Sequence, residues 1–593
     1  MKIILVTPPL TQLNTPYPAT TQLTGFLKSQ NIDVVQADLS IELIASIFNK
    51  KTLKEVFDII SQQNKIQKKH RIILQNTNFY VQNIEPVMRF LSDRDSTLAK
   101  KFSQSDFWPV KNRIGSEDDL EWAFGTIGNH DRATHLCTLF IKDIAEIIQK
   151  YIDPHFELIR YAESLCQHLP DFEPLETELH RPLSFINDRL LEIFKNKIEK
   201  HEPQFIGFSV PFPGNLLSAL QCAKWLKDNH PDIKIIFGGG YVNTELRQIS
   251  DAEIFKYIDY LTFDDGELPL LRIIQNGELI RTLTCENDEI IRHNFDSRQN
   301  VRFSKTGTPD YENLLGNNYI NLIEMTNPMH SLWSNGRWNK LILAHGCYWG
   351  KCAFCDGSLD YIKRFEPAPV SLLVDRMESI MEQTGISGFH FVDEAAPPAI
   401  LRKLAEEIIR RKLTVSYWTN IRFDKVFDTE LCYVLAQSGC IAVSGGLEVA
   451  APRILKMINK GITIETASEC MKNLTNAGIM THAYLMYGFP TETAKETIDS
   501  LEVVRGLFEN GYLHSAFWHR YAMTIHSPSG IEPEKFGAVK RQNQYNRFAN
   551  NEVPFSTENP IDLDYYGRGL NLATYNYMNG TGFDIPVRKW FKN

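Results

Sequence analysis

The sequence lacks any apolar run long enough to cross a bilayer. Its opening residues, MKIILVTPPL, hold only a four-residue apolar run, Ile3 to Val6, before Thr7 and a proline pair. That is too short for the core of a secretory signal. A cytoplasmic protein with no membrane span is therefore expected. The chain also lacks a strong excess of either charge. Its 63 Lys and Arg stand against 72 Asp and Glu, a net charge of −9, which argues against a protein built to coat nucleic acid. Cysteine is sparse, 10 in 593 residues, and seven are scattered: Cys137, Cys166, Cys222, Cys285, Cys432, Cys440 and Cys470. Scattered thiols in a long intracellular chain are expected to be buried and free. What is left is an ordinary composition, 43% hydrophobic and 23% charged, in a length that implies two to four domains.

Two series of alternating strands and helices are present. Residues 2–6 and 33–35 read as strands flanking a helix at 21–29. Between about 41 and 200, apolar residues recur at three- and four-residue spacing, as in LKEVFDII and TLFIKDIAEIIQKYI, and the segment reads as a helical insertion. Its lone histidines, His130, His135 and His168, read as core or surface residues rather than ligands. Strands at 205–210, 233–240 and 259–267 then alternate with helices at 216–229 and near 244–257. This pattern predicts an α/β fold with a doubly wound parallel sheet. Gly238, Gly239 and Gly240 end one strand, where they serve either close approach of a ligand or a tight turn. Residues 286–338 show no clear periodicity and read as a linker. Six further strands, near 341–344, 388–392, 414–418, 441–446, 481–487 and 514–521, predict a full or partial barrel within 339–530. Residues 531–593 form a weakly periodic C-terminal region.

The remaining three cysteines crowd into one segment, His345-Gly-Cys347-Tyr-Trp-Gly-Lys-Cys352-Ala-Phe-Cys355. It follows the first barrel strand, at the end where barrel active sites sit. Three thiolates on one loop can hold three irons of a 4Fe-4S cluster and leave the fourth open. The alternative is structural zinc with His345 as fourth ligand, although zinc sites usually draw paired ligands from separate turns and no second C-x2-C exists here.

This segment resembles the signature of the radical S-adenosyl-L-methionine (SAM) superfamily, usually spaced C-x3-C-x2-C, with one residue added between Cys347 and Cys352. The resemblance implies that Cys347, Cys352 and Cys355 bind the cluster, with SAM on the open iron. It implies that Phe354 lies beside the adenine and that Asp393, Arg422, Gly445, Gly446 and Glu448 contact SAM. Met486-Tyr-Gly488-Phe489-Pro490-Thr-Glu492-Thr493 is similar to the family's fifth-strand turn. The first series resembles the Rossmann-like cobalamin-binding domain that precedes many such (β/α)6 TIM-type barrels, which gives residues 1–285 a cobalamin-binding role. Pro8, Pro9, Ser209, Gly238, Gly239, Gly240, Gly266 and Glu267 are the residues implied around the corrin. A sheet that binds nothing, or another nucleotide-like cofactor, is the other reading. No D-x-H-x-x-G segment exists, so no histidine of that motif is expected under the cobalt.

The group resembled is the cobalamin-dependent radical SAM methyltransferases. It implies methylation of an unactivated carbon through a 5′-deoxyadenosyl radical and methylcobalamin. It also implies a flavodoxin or ferredoxin as electron donor and a small-molecule or peptide substrate. Radical cyclisation or rearrangement without methyl transfer is one alternative, and a non-catalytic cobalamin or redox sensor is another. Asn420, His482, Tyr484, Trp518, His519 and Tyr521 are candidates to face substrate, with His482, Tyr484, His519 and Tyr521 as candidate catalytic groups.

Overall fold

The computed structural model describes residues 1–109, 117–125, 127–316, 318–541, 546–558 and 560–591. Short pieces of the expected insertion, linker and C-terminal region thus lie outside the described residues.

The first sheet contains β1 (Lys2–Thr7), β2 (Asp33–Asp38), β3 (Phe205–Ser209), β4 (Lys234–Gly238), β5 (Tyr260–Thr262), β6 (Thr282–Glu286) and β7 (Glu289–His293). Their order is β2-β1-β3-β4-β5-β6-β7, parallel through β5 and antiparallel beyond. The continuous apolar run of β1 follows from burial on both faces. Ile4 and Val6 enter a core shared with the insertion helices, whereas Ile3 and Leu5 meet Phe26, Leu270 and Ile273 on the opposite face. The insertion is helical as expected and covers one face of the sheet. Helix Lys50–Ser61, for example, is capped by Asn49 and buries Leu53, Val56, Phe57 and Ile60.

Two expectations change. The helix near 244–257 is instead a short helix, Gly240–Thr244, and a 3-10 turn, Ala252–Lys256. The amides of Ser250 and Asp251 both donate to the Arg547 carbonyl, which takes them out of any helical ladder. The stretch 286–338 is also more ordered than its pattern suggests. It begins inside a hairpin, where Asn287 and Asp288 at φ 50° and 63° join β6 to β7. Two left-handed residues of this type make the tight turn that suits strand twist. Further on, Tyr319, Ile320 and Leu322 enter the insertion's core, and Met329, Leu332 and Trp338 close one end of the second sheet against Trp418 and Ala442.

That second sheet is entirely parallel: β8 (Asn339–Leu341), β9 (Gly388–Phe391), β10 (Ser416–Ile421), β11 (Cys440–Glu448), β12 (Met480–Tyr487) and β13 (Ser515–Arg520), in sequence order. β8 and β13 do not pair, so the barrel is partial. Helices such as Pro398–Arg411 and Ala494–Glu509 pack on its outer side through Leu401, Leu404, Leu501 and Val504. The C-terminal region contributes helix Leu563–Met578, which lies against β13.

Candidate active site

The cysteine loop is built outward from the carboxyl end of β8. Asp393, just past β9, accepts the amides of Leu343 (3.0 Å) and Ala344 (2.9 Å) and so fixes the chain before the loop starts. Burial, opposed by those amides, pushes this carboxyl up to about 7. Ala344 and His345 then pair with Glu366 and Pro367. Gly346 turns at φ 74°, a conformation open to glycine. Gly350, at φ 59°, turns the longer C-x4-C stretch back. The Cys347 amide donates to Ile362 (3.1 Å) and that of Ala353 to Ile458 (2.8 Å). Cys352 is buried, and Cys347 and Cys355 are half-buried.

His345 does not join the thiols. Its Nδ1 donates to the Arg364 carbonyl (2.8 Å) and its Nε2 lies 2.8 Å from Asp265 Oδ1. With both ring nitrogens engaged elsewhere, a zinc site lacks its expected fourth ligand. Asp265 also pairs with Arg364, which in turn holds Asp360. The first sheet is thereby tied to the residue two places before Cys347.

Cationic groups surround the cysteine pair. Glu448, in a left-handed conformation at φ 60°, accepts from Lys460 Nζ at 2.7 Å in a buried ion pair. Arg422 donates to the Lys460 carbonyl (2.7 Å), and its guanidinium lies 4.3 Å from the centre of the Trp349 ring. Phe354 sits 5.6 Å from Lys460 Nζ. A Cβ on Gly446 would stand 2.5 Å from that amine, and one on Gly445 would meet the Phe423 ring at 2.8 Å. The Cys355 thiol, against the cost of burial and helped by the Lys460 and Arg422 charges, brings Cys352 down to about 7, while Cys355 moves upward. A lowered thiol favours the thiolate that binds metal.

Residues 341–504 match the family described as the radical SAM superfamily. The match falls within the six-stranded sheet and covers less than half of the chain. Among similar proteins, an uncharacterized methyltransferase of Pyrococcus horikoshii is 24% identical over 321 residues, covering 52% of this chain and 66% of its own length. The anaerobic magnesium-protoporphyrin IX monomethyl ester cyclase of Rubrivivax gelatinosus is 26% identical over 335 residues, 54% of this chain and 57% of its own. The match thus spans under two thirds of either relative. A solved structure of the cobalamin-dependent S-adenosylmethionine radical enzyme OxsB, with aqua-cobalamin and S-adenosylmethionine bound, has a TM-score of 0.50 at 13% identity. It covers 64% of this chain and 59% of that one, and the likeness is one of fold.

Within the second sheet, three of the substrate-facing candidates come together. His482 lies within the barrel, its Nδ1 3.0 Å from Ser515 Oγ and its ring 4.9 Å from those of Trp333 and Tyr484. Burial, then the nearby His519, lowers it to about 3, so it is neutral. Exposed His519 sits 6.2 Å from Tyr484. Asn420 donates to the Asp393 carbonyl at 3.1 Å, and its Oδ1 is buried without a partner. The other two candidates lie elsewhere. Trp518 points outward and donates to Thr574 Oγ1 (2.7 Å). Tyr521 packs on Phe489, with its hydroxyl 2.8 Å from Ser529 Oγ. Alternation along β13 sends 515, 517 and 519 inward and 516, 518 and 520 outward. Lys460 was missed by sequence reasoning. Its only signal is a lysine before a glycine in the loop after Glu448, with Gly461 turning at φ 73°.

The second sheet faces the first across a cavity of about 310 Å³. Ser209, Gly238, Gly239, Gly266 and Glu267 line one side, at carboxyl strand ends beside the β1/β3 switch point, and Lys340, Leu341, Ile342 and Val392 line the other. Ser209 Oγ is buried without a partner. Gly239 has φ 106°, and a Cβ on Gly238 would meet Thr262 Oγ1 at 2.8 Å. Three residues expected at the corrin are not in this lining. The Pro8 and Pro9 carbonyls instead accept from Asn215 Nδ2 (2.7 Å) and Ser218 Oγ (2.8 Å), which draws their loop toward helix Leu216–Asn229. Gly240 opens the following helix, close under the Pro211 carbonyl.

Proposed function

We propose that this chain is a cobalamin-dependent radical SAM enzyme that methylates an unactivated carbon. The observation that supports it most is the facing of two carboxyl strand edges. One carries three thiols on a single loop, and the other forms a cavity with an orphaned hydroxyl and glycines that leave no room for side chains. When bound, the cluster supplies the electron that splits SAM to a 5′-deoxyadenosyl radical, and the corrin supplies the methyl group.

The chain's residues position these groups. Cys347, Cys352 and Cys355 would hold three irons. Glu448, Arg422, Gly445, Gly446 and Phe354 would surround SAM, and Asp393 would hold the strand end beneath it. Lys460 acts by orienting Glu448. Ser209, Gly238, Gly239, Gly266 and Glu267 would line the corrin, among lining residues that include no histidine. His482, Tyr484 and His519 would face substrate, a small molecule or peptide. Among the described residues, no helix is long and apolar enough to cross a membrane. We place the enzyme in the cytoplasm, with a flavodoxin or ferredoxin as reductant.

The test is anaerobic purification with iron, sulfide and corrin measured per chain, then assay for methylated product alongside 5′-deoxyadenosine. About four irons and one corrin are expected. Zinc in place of iron overturns the reading. A second reading, radical cyclisation, draws on the cyclase relative of Rubrivivax gelatinosus. It requires 5′-deoxyadenosine with an altered but unmethylated product.

A further inference from the structure

The turn after β5, Asp264-Asp265-Gly266-Glu267, lines the interdomain cavity with all four of its residues. Asp264 secures it from its own side. Its amide donates to Asn243 Oδ1 (2.5 Å), and its carboxylate pairs with Arg247 (2.9 Å) and Arg281 (3.5 Å). Asp264 stands at φ 62°, a left-handed conformation that a residue other than glycine keeps only where its surroundings fix it. These partners all belong to the first sheet's part of the chain.

Asp265 reaches the other way. Its Oδ1 lies 2.8 Å from His345 Nε2, and its Oδ2 accepts from Arg364. Both partners frame the cysteine loop. His345 is two places before Cys347, and Arg364 is two places after Ile362, whose carbonyl accepts the Cys347 amide (3.1 Å). The His345 Nδ1 bond to the Arg364 carbonyl (2.8 Å) joins the two ends of this frame, and Arg364 is held further by Asp360 (3.1 Å) and Glu366 (2.9 Å). None of the Asp265, His345 and Arg364 side chains is more than 24% exposed, so salt screens their pairing less than it would a surface ion pair. One residue of the cavity wall is therefore bonded to the frame of the metal loop. Metal binding removes conformational freedom from a loop of thiols. A frame ordered in advance holds Asp265, and with it the turn that lines the cavity, at less entropic cost to a ligand entering there.

Resting on the function proposed above, we propose that Asp265 is a positioning residue that couples the two cofactor sites. Cobalamin binds more tightly once the cluster is in place, and the cluster is held more firmly once cobalamin is bound. The two effects are one coupling free energy seen from either end.

The test measures hydroxocobalamin affinity by anaerobic equilibrium dialysis on the full-length chain, with the cluster reconstituted and after its removal by chelation. Wild type should bind about 10-fold more tightly with the cluster present. In Asp265→Asn, which keeps an oxygen for His345 but loses the charge facing Arg364, that ratio should fall toward one. Asp265→Glu, which keeps the charge, should restore part of it. Asp264→Asn is the control for general damage to the turn. Its lost partners lie within the first sheet's part of the chain, so both affinities should shift together and the ratio should persist. A second readout works from the other end: saturating cobalamin should slow the loss of iron to a chelator in wild type and not in Asp265→Asn. Corrin bound by wild type with equal affinity in both states overturns the coupling and leaves the cobalamin reading standing. A ratio that survives in Asp265→Asn, or is lost equally in Asp264→Asn, overturns the assignment to Asp265. No corrin bound in either state overturns the cobalamin reading and this inference with it.

Discussion

Two buried lysines, each on a residue 7% exposed, mark the two working regions of the molecule and differ in what surrounds them. At the cysteine loop, burial pulls Lys460 down, but Glu448 and the Cys352 thiol more than offset it, and its pKa is raised. At the interdomain cavity, burial acts on Lys340 unopposed and brings it down to about 7. Equal burial thus gives opposite electrostatics. One region has its charges matched before any ligand arrives, as suits a site that must hold a fixed metal and cofactor geometry. The other has a charge site left open, as suits a region where a ligand comes and goes.

The largest test of this contrast removes the metal from the matched region. Cys352→Ala is expected to lose the cluster, with iron per chain near background and SAM cleavage down at least about 1000-fold. Iron retention and turnover in this variant would end the cluster reading. Next come the lysines themselves, given the same substitution. Lys460→Met leaves Glu448 buried without a partner and should cost about 3–5 kcal/mol in denaturant unfolding. Adding Glu448→Gln should recover most of that loss, since a neutral amide no longer needs a counter-ion. Lys340→Met should leave stability unchanged or raise it, because it replaces an unpaired amine with an apolar chain of similar length. Equal losses from both lysine variants would erase the distinction.

Legibility in the sequence divides along related lines. Strands β9 to β13 show as short β-branched and aromatic runs, and the cysteines announce themselves by spacing, because both depend on neighbours close in the chain, whereas the first barrel strand, Asn339–Leu341, has neither residue type and starts two residues before the expected 341–344. The two lysines do not announce themselves, because their meaning lies in partners brought by other strands. Glu448 is 12 positions from Lys460, and His390 is 50 from Lys340. The Pro8-Pro9 loop looked like a ligand loop, but Asn215 and Ser218, over 200 residues away, claim its carbonyls. Trp518 was legible in principle. Period-two alternation puts it opposite His519, so the two cannot both face the barrel interior. The Asn287-Asp288 hairpin was legible too, from turn chemistry rather than apolar pattern.

The smallest effect concerns the carboxyl that shares the cavity with Lys340. Burial, then Asp265, holds Glu267 at about 7 in the folded chain, well above the usual value for a glutamate. For a carboxyl raised on folding, the native state binds the extra proton. Its contribution is present at low pH and is lost as pH climbs from the unfolded value toward 7. Between those limits one proton changes stability by about 1.4 kcal/mol per pH unit. Other buried carboxyls, including Asp393 and Glu492, are raised as well, so wild-type stability should fall over this window with several contributions. Glu267→Gln keeps the shape and removes one of them. Urea unfolding at intervals from pH 5 to 7 should therefore show a slope shallower by about one proton in the variant. An unchanged slope would mean that Glu267 is already ionised in the folded protein. The cavity wall would then hold an unpaired carboxylate beside the paired Asp264 and Asp265, and Lys340 would lose its standing as the group there that lacks an opposite charge.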